Sequence, residues 1–254
     1  MIKFLKKYSA VLLLLLTATS FQKKLSSGID DKATVRLIFS NVVKGHILVL
    51  NDSAYTNPFN ESYTVSKFRY YVSNIFFEKD NDGFQQKDSY HLVDEGNQAS
   101  KIISVGLPAG NYKSLQFLLG VDSLHNVSGA QSGDLDPDKD MFWTWNSGYV
   151  MAKLEGSSPA SAIVNHKFEY HIGGFSGPDK VLKEIRLSLP GSSYEFRAGK
   201  SYTIFITADI NEWWQSVHDL KIAEHPAIAA PGTWAKEISD NYAHMFHLDK
   251  IVAE

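Results

Sequence analysis

In the stretch GDLDPDKDMFWTWNSGYV, Asp134, Asp136, Asp138 and Asp140 stand at alternate positions, and Phe142, Trp143 and Trp145 follow at once. Hard carboxylate oxygens in a flexible turn suit calcium. An EF-hand loop counted from Asp134 would need glycine sixth and glutamate twelfth, and those places hold Lys139 and Trp145. The run is therefore either a looser calcium loop or a turn that keeps its charges in water. Trp143 and Trp145 are two residues apart, so a strand would put both indoles on one face, with Phe142 and Thr144 on the other. Such a pair is either core packing or the wall of a site.

The nine histidines are the next candidates. No His-Glu-x-x-His pattern occurs, which argues against a zincin-type hydrolase. His166 and His171 are five apart on one apparent strand run and would point to opposite faces. His171 is followed by Ile-Gly-Gly, where glycines allow close approach, so it is a ligand candidate or a hydrogen-bonded structural residue. His244 and His247 could share one face of a helix at i, i+3. GGFSG lacks the spacing of a nucleophile elbow, and neither a P-loop nor a dinucleotide fingerprint is present. With no cysteine, thiol catalysis and thiolate metal sites are excluded. No spacing singles out a poised acid, base or nucleophile, so the expectation is a protein that is not an enzyme.

The elements that must position these residues read mostly as strands. ATVRLIFS alternates apolar and polar residues, and KFRYYVSNIFFE is a long aromatic and β-branched run. KDNDGF then gives an Asp-Gly turn before SYHLVD, a hairpin signature. ASKIISVGL, YKSLQFLLGVD, GYVMAKLEG, SAIVNHKFEYHIG, KEIRLSLP and SYTIFITADI supply further strands between frequent turn signals. This pattern predicts an all-β fold: an antiparallel β-sandwich of roughly ten strands. A few short helical segments are expected near the C-terminus, one opening at Asp209 or Asn211 in DINEWWQSV, and WAKEISDNYAHMFHLDKI is at most a weak helix.

Lys3, Lys6 and Lys7 precede the apolar run AVLLLLLTA, and Ala18-Thr19-Ser20 offers small residues at a cleavage position. This layout reads as a secretory signal over 1–20, too short to span a bilayer permanently, without a lipobox cysteine. The expected location is periplasmic or extracellular, with no stable membrane anchor after cleavage. Residues 21–32 read as a flexible polar leader and 33–254 as one domain, with no linker or repeat inside it. The chain carries 25 basic and 28 acidic residues, a balance that argues against nucleic acid.

LGVDSLHNVSGAQSGDLDPDKDMFWTWNSGYVMAKLEG (119–156) strongly resembles the signature region of MbnP-like proteins, exported β-sandwich proteins associated with copper handling. FRYYVSNIFF (68–77), FEYHIGGFSG (168–177), ADINEWW and DNYAHMFHLDKI resemble other segments of that domain, in the right order, and the layout resembles the Bacteroidetes-type versions. The resemblance implies copper binding or scavenging. In that family a tryptophan can be oxidised to kynurenine by a di-haem peroxidase-type partner, and the opened ring joins histidine nitrogens as a copper ligand. Imidazole is a suitable donor for copper. Here the resemblance makes Trp143 and Trp145 the candidate modified residues and His171 and His125 the imidazole donors, with Asp122 as a further ligand. The expected arrangement brings the His171 strand end and the His125 loop together beside the tryptophans. The alternative is a non-catalytic binding module for a sugar or a protein partner, without metal, using an exposed patch of Trp213, Trp214 and Trp234.

Overall fold

The computed structural model describes residues 31–52, 54–143 and 148–254. Period-two runs become long strands. β1 (Lys32–Val43) buries Ala33, Val35, Leu37 and Phe39 on one face. β2 (Ser62–Glu78) buries Phe68, Tyr70 and Val72. The other main strands are β3 (Tyr90–Asp94), β4 (Ile102–Pro108), β5 (Ser114–Leu119), β6 (Gly148–Ser157), β7 (Lys167–Gly173), β8 (Lys183–Ser188), β9 (Ser201–Asp209) and β10 (Phe246–Ala253). The helices are α1 (Ser123–Val127) and α2 (Thr233–Tyr242).

The strands form a smaller sheet, β10–β9–β1 with β4 also on β1, and a larger one running β8–β5–β2–β6–β7, with β3 paired to β2. Their facing sides close an aromatic core in which the Phe39 ring meets Tyr70, Phe117 and Phe246 at centroid distances of 6.2, 6.0 and 6.3 Å. Edge-to-face pairs at these spacings add to the burial of each ring. The architecture is an all-β sandwich, as the turn-punctuated strands predict. Two pairings depart from a fully antiparallel sandwich: β1 and β9 pair in parallel, from Thr34↔Ser201 to Val42↔Asp209, and so do β7 and the short segment Ala227–Ile228.

Two local features position the candidate residues. The acidic segment lies across the outer face of the large sheet, and Tyr71 and Tyr149 donate hydroxyl hydrogen bonds to the Asp134 and Leu135 carbonyls. Leu135, Met141 and Trp143 are buried there, so β6 is covered on both faces over most of its length. The β2–β5 register also breaks between Ser73 and Phe76, where Asn74 takes a left-handed conformation at φ 54°. Such a bulge re-aims side chains at a sheet margin.

The C-terminal part corrects several expectations. The weak helix is a full one, α2, and the residues after it form β10 on the edge of the small sheet. His244 therefore follows α2 while His247 lies on β10, and they share no helix face. His166 lies in a 3-10 turn before β7, so it and His171 are not on one strand. Asp209 caps the 3-10 turn Ile210–Trp213 as expected, accepting the Asn211 N–H at 2.9 Å. No helix among the described residues is long and apolar enough to cross a membrane.

Candidate functional site

Asp122 precedes α1 and caps it, its carboxylate accepting the His125 backbone N–H at 3.1 Å. Aspartate is a strong N-cap because its oxygen satisfies an otherwise orphaned amide. The cap also turns the His125 ring back onto the same carboxylate, with Nδ1 at 3.0 Å from Oδ1. From β3, the Tyr90 hydroxyl donates to Asp122 Oδ2 and lies 2.7 Å from His125 Nδ1. The Tyr90 and His125 rings pack against each other, tilted by 41°, with centroids 4.1 Å apart. From the β2 bulge, Asn74 Nδ2 donates to Asp122 Oδ2 at 3.2 Å.

Burial alone would raise the Asp122 carboxyl, but hydrogen bonds from Tyr90, His125 and Asn74 outweigh it and hold it well below the usual carboxylate range. Burial and the Asp122 carboxylate together push the Tyr90 phenol well up. An ionised carboxylate only accepts, and the Tyr90 proton is already directed at it, so the His125 ring proton belongs on Nδ1. His125 Nε2 then carries the lone pair and has no hydrogen-bond partner among the described residues. A carboxylate behind one ring nitrogen and an open lone pair on the other is how metal-binding histidines are held.

His171 is placed differently. It lies on the outer face of β7, opposite Lys153, and its Nε2 is 2.8 Å from Glu155 Oε1. Glu155 also pairs with Lys67 at 3.4 Å, and hydrogen bonding from His171, opposed by burial and aided by Lys67, lowers its carboxyl. Lys153 is only 3% exposed, with Nζ 3.0 Å from Asp140 Oδ2. Burial lowers its ammonium, against the pull of Asp140.

The structure thus brings Asp122 and His125 into contact and gives His171 to a separate ion-pair network. Among the described residues no group of three or more His, Cys, Asp or Glu side chains is placed to hold a metal ion, so Asp122, His125 and His171 do not form one. Trp143 is 7% exposed and lies over the end of β7: a Cβ on Gly173 would sit 2.5 Å from its ring. Trp145 lies outside the described residues. Three of the four aspartate side chains, those of Asp134, Asp136 and Asp140, are engaged within the protein. Asp134 accepts the Leu92 N–H at 3.0 Å on the free edge of β3, Asp136 caps a 3-10 turn through the Asp138 N–H, and Asp140 binds Lys67 at 2.9 Å. Trp213 and Trp214 are fully buried, edge-to-face with Phe68 and Tyr63, so the exposed tryptophan patch of the alternative reading does not exist; Trp234 alone of the three is exposed.

Two site residues, Tyr90 and Asn74, are not singled out by sequence patterns. Asn74 carries a signal: an asparagine inside an aromatic and β-branched run marks a left-handed residue or a bulge. Tyr90 carries none.

No curated protein matches the chain. Among solved structures, MbnP from Methylosinus trichosporium aligns with 14% sequence identity over 87% of this chain and 99% of its own, at a TM-score of 0.47. The sequence model of the MbnP family matches residues 32–232, from the first residue of β1 to the glycine before α2. A match over that much of the chain assigns the family: this protein belongs to the MbnP family.

Proposed function

We propose that the protein is exported and binds copper, with His125 Nε2 as the imidazole donor and Asp122, Tyr90 and Asn74 as the residues that orient it. The observation that carries this reading is the His125 ring held at Nδ1 by Asp122 and Tyr90, with an Nε2 that has no protein partner among the described residues. Imidazole suits copper, whereas Asp134, Asp136 and Asp140, three of the four carboxylates that would suit calcium, are accepting backbone amides or pairing with a lysine. Family membership and the signal-like first twenty residues support export. When bound, copper would supply a one-electron redox centre or a cargo site. The protein's own part is to hold the imidazole in one orientation. The di-haem peroxidase-type partner belongs to this reading through oxidation of Trp143 or Trp145.

The test is copper retention by the full chain recovered after export, with its mature N-terminus sequenced. The expected result is a start near Phe21 and copper that survives desalting in the wild type but not in His125→Ala. A wild-type protein that keeps no copper, or a His125→Ala protein that keeps all of it, overturns the assignment.

A further inference from the structure

A cleft of about 420 Å³ opens on the outer side of the large sheet where β2, β5 and β8 run together. Its floor is apolar: Phe76, Leu118 and Leu182. The Phe76 ring is seated on Gly83, where an added Cβ would come within 2.0 Å of Cζ, so the floor is fixed before anything binds. Two amides flank the ring in register, since Phe76 pairs with Gln85 on one side and Gln116 on the other. Gln85 Nε2 donates to the Ile75 carbonyl at 3.1 Å, and Gln116 Nε2 donates to Glu78 Oε2 and Ser114 Oγ, both at 3.1 Å. Both amide nitrogens are thus engaged inside the protein, and both amide oxygens are left as acceptors.

The lining carries three charged side chains: the Asp122 carboxylate is engaged by Tyr90, His125 and Asn74, whereas Glu184 and Lys180 have no ion-pair partner among the described residues. Neighbouring charges are matched: Lys183 with Asp240 and Arg186 with Glu78. The cleft falls in the size range of small-ligand sites, and its lining is more polar than is usual for one, which favours a charged ligand. Two opposite, unmatched charges over an apolar floor, with carbonyl-type acceptors between, call for a ligand that carries an ammonium, a carboxylate and an apolar body.

We propose that this cleft binds a small zwitterion with an apolar side chain, the chemistry shared by free α-amino acids and short peptides. Its ammonium is taken by Glu184 and the Gln85 and Gln116 carbonyl oxygens, its carboxylate by Lys180, and its side chain rests on Phe76. The site goes beyond the copper reading. It shares only the wall residues Asn74 and Asp122 with the His125 cluster, and none of its ligand-binding groups is a proposed copper donor.

The experiment titrates metal-free full chain with L-leucine, with the dipeptide Leu-Leu and with the uncharged N-acetyl-L-leucine N-methylamide, followed by calorimetry and backbone NMR. Saturable binding of one or both zwitterions is expected, with shifts centred on Phe76 and Gln116, and the tighter of the two names the source. Lys180→Ala and Glu184→Gln each remove one charge partner from an exposed side chain, so folding is not at stake, and each should weaken binding about tenfold. His125→Ala should bind as the wild type does, which separates this result from the copper test. No saturation by either zwitterion up to about 10 mM overturns the proposal, as does equal affinity for the uncharged analogue or unchanged binding in both variants.

Discussion

His125 with Asp122 and His171 with Glu155 are both imidazole–carboxylate pairs, at 3.0 and 2.8 Å, and both sit on the large sheet's margin or outer face. They differ in what stands behind the carboxylate. Asp122 is held by neutral donors, Tyr90 and Asn74, and by the amide of the helix it caps. Glu155 is held by cations, Lys67 at 3.4 Å and Lys153 at 4.0 Å, in a network that ties the acidic segment to the sheet. A neutral surround leaves the carboxylate's charge to act on the histidine. A cationic surround spends that charge on packing. The same local motif is therefore an oriented donor in one place and a structural tie in the other.

The sharpest way to break this contrast is to delete each ring. His125→Ala should lower copper affinity by about 100-fold or more, and His171→Ala should leave it within about twofold, both read by competition with a calibrated chelator. Comparable losses in the two variants would mean that the pairs act together. Next in size is Gly173→Ala, two residues beyond His171. Its Cβ would meet the Trp143 ring at 2.5 Å and the Tyr149 carbonyl at 2.9 Å, and overpacking of this kind costs about 2 kcal/mol, measured by urea unfolding. The stability loss should come without loss of copper if the His171 strand end is structural. Lys153→Met is smaller. It removes a buried cation whose partner Asp140 is 59% exposed and can be rehydrated, so about 1.5 kcal/mol is expected rather than the full cost of stranding a buried charge.

How much of this was legible in the sequence follows from the range of each interaction. KFRYYVSNIFFE declares a strand because its apolar period is local, and the Asp-Gly hairpin after it forms as the turn chemistry predicts. Asp122 and His125 are three residues apart, so a capping aspartate could bring them together without help from the fold. Tyr90 and Asn74 reach the same carboxylate only because β3 and β5 both pair with β2, and no local pattern encodes that meeting. The parallel β1–β9 pair joins the two ends of the domain and was hidden for the same reason. Trp213 and Trp214 misled because they follow Asn-Glu and look solvent-bound. The 3-10 turn carries both indoles inward, where Trp213 Nε1 meets Met245 Sδ and Trp214 Nε1 meets the Tyr63 hydroxyl at 3.1 Å.

The smallest effect probes the carboxylate that defines the first pair. Asp122→Asn keeps the shape and the cap but removes the charge that the Tyr90 hydroxyl and the His125 ring address. About 1 kcal/mol of stability should be lost at pH 7. The folded-state Asp122 ionises below its ordinary value of 3.8, so its stabilisation is fully present above that pH and is lost as pH falls through the lower folded value. The gap between wild type and Asp122→Asn should therefore stay constant from pH 7 to about 5 and narrow steadily below 3.8, in parallel urea titrations. The same series on Glu155→Gln discriminates the two regions further. Its carboxyl is also lowered, with His171 the first cause and Lys67 adding to it, so its gap should shrink in 0.5 M salt, where exposed ion pairs are screened. The Asp122 gap, built on hydrogen bonds from the Tyr90 hydroxyl, the Asn74 amide and the His125 backbone N–H, should not, and equal salt sensitivity of the two gaps would remove the distinction between them.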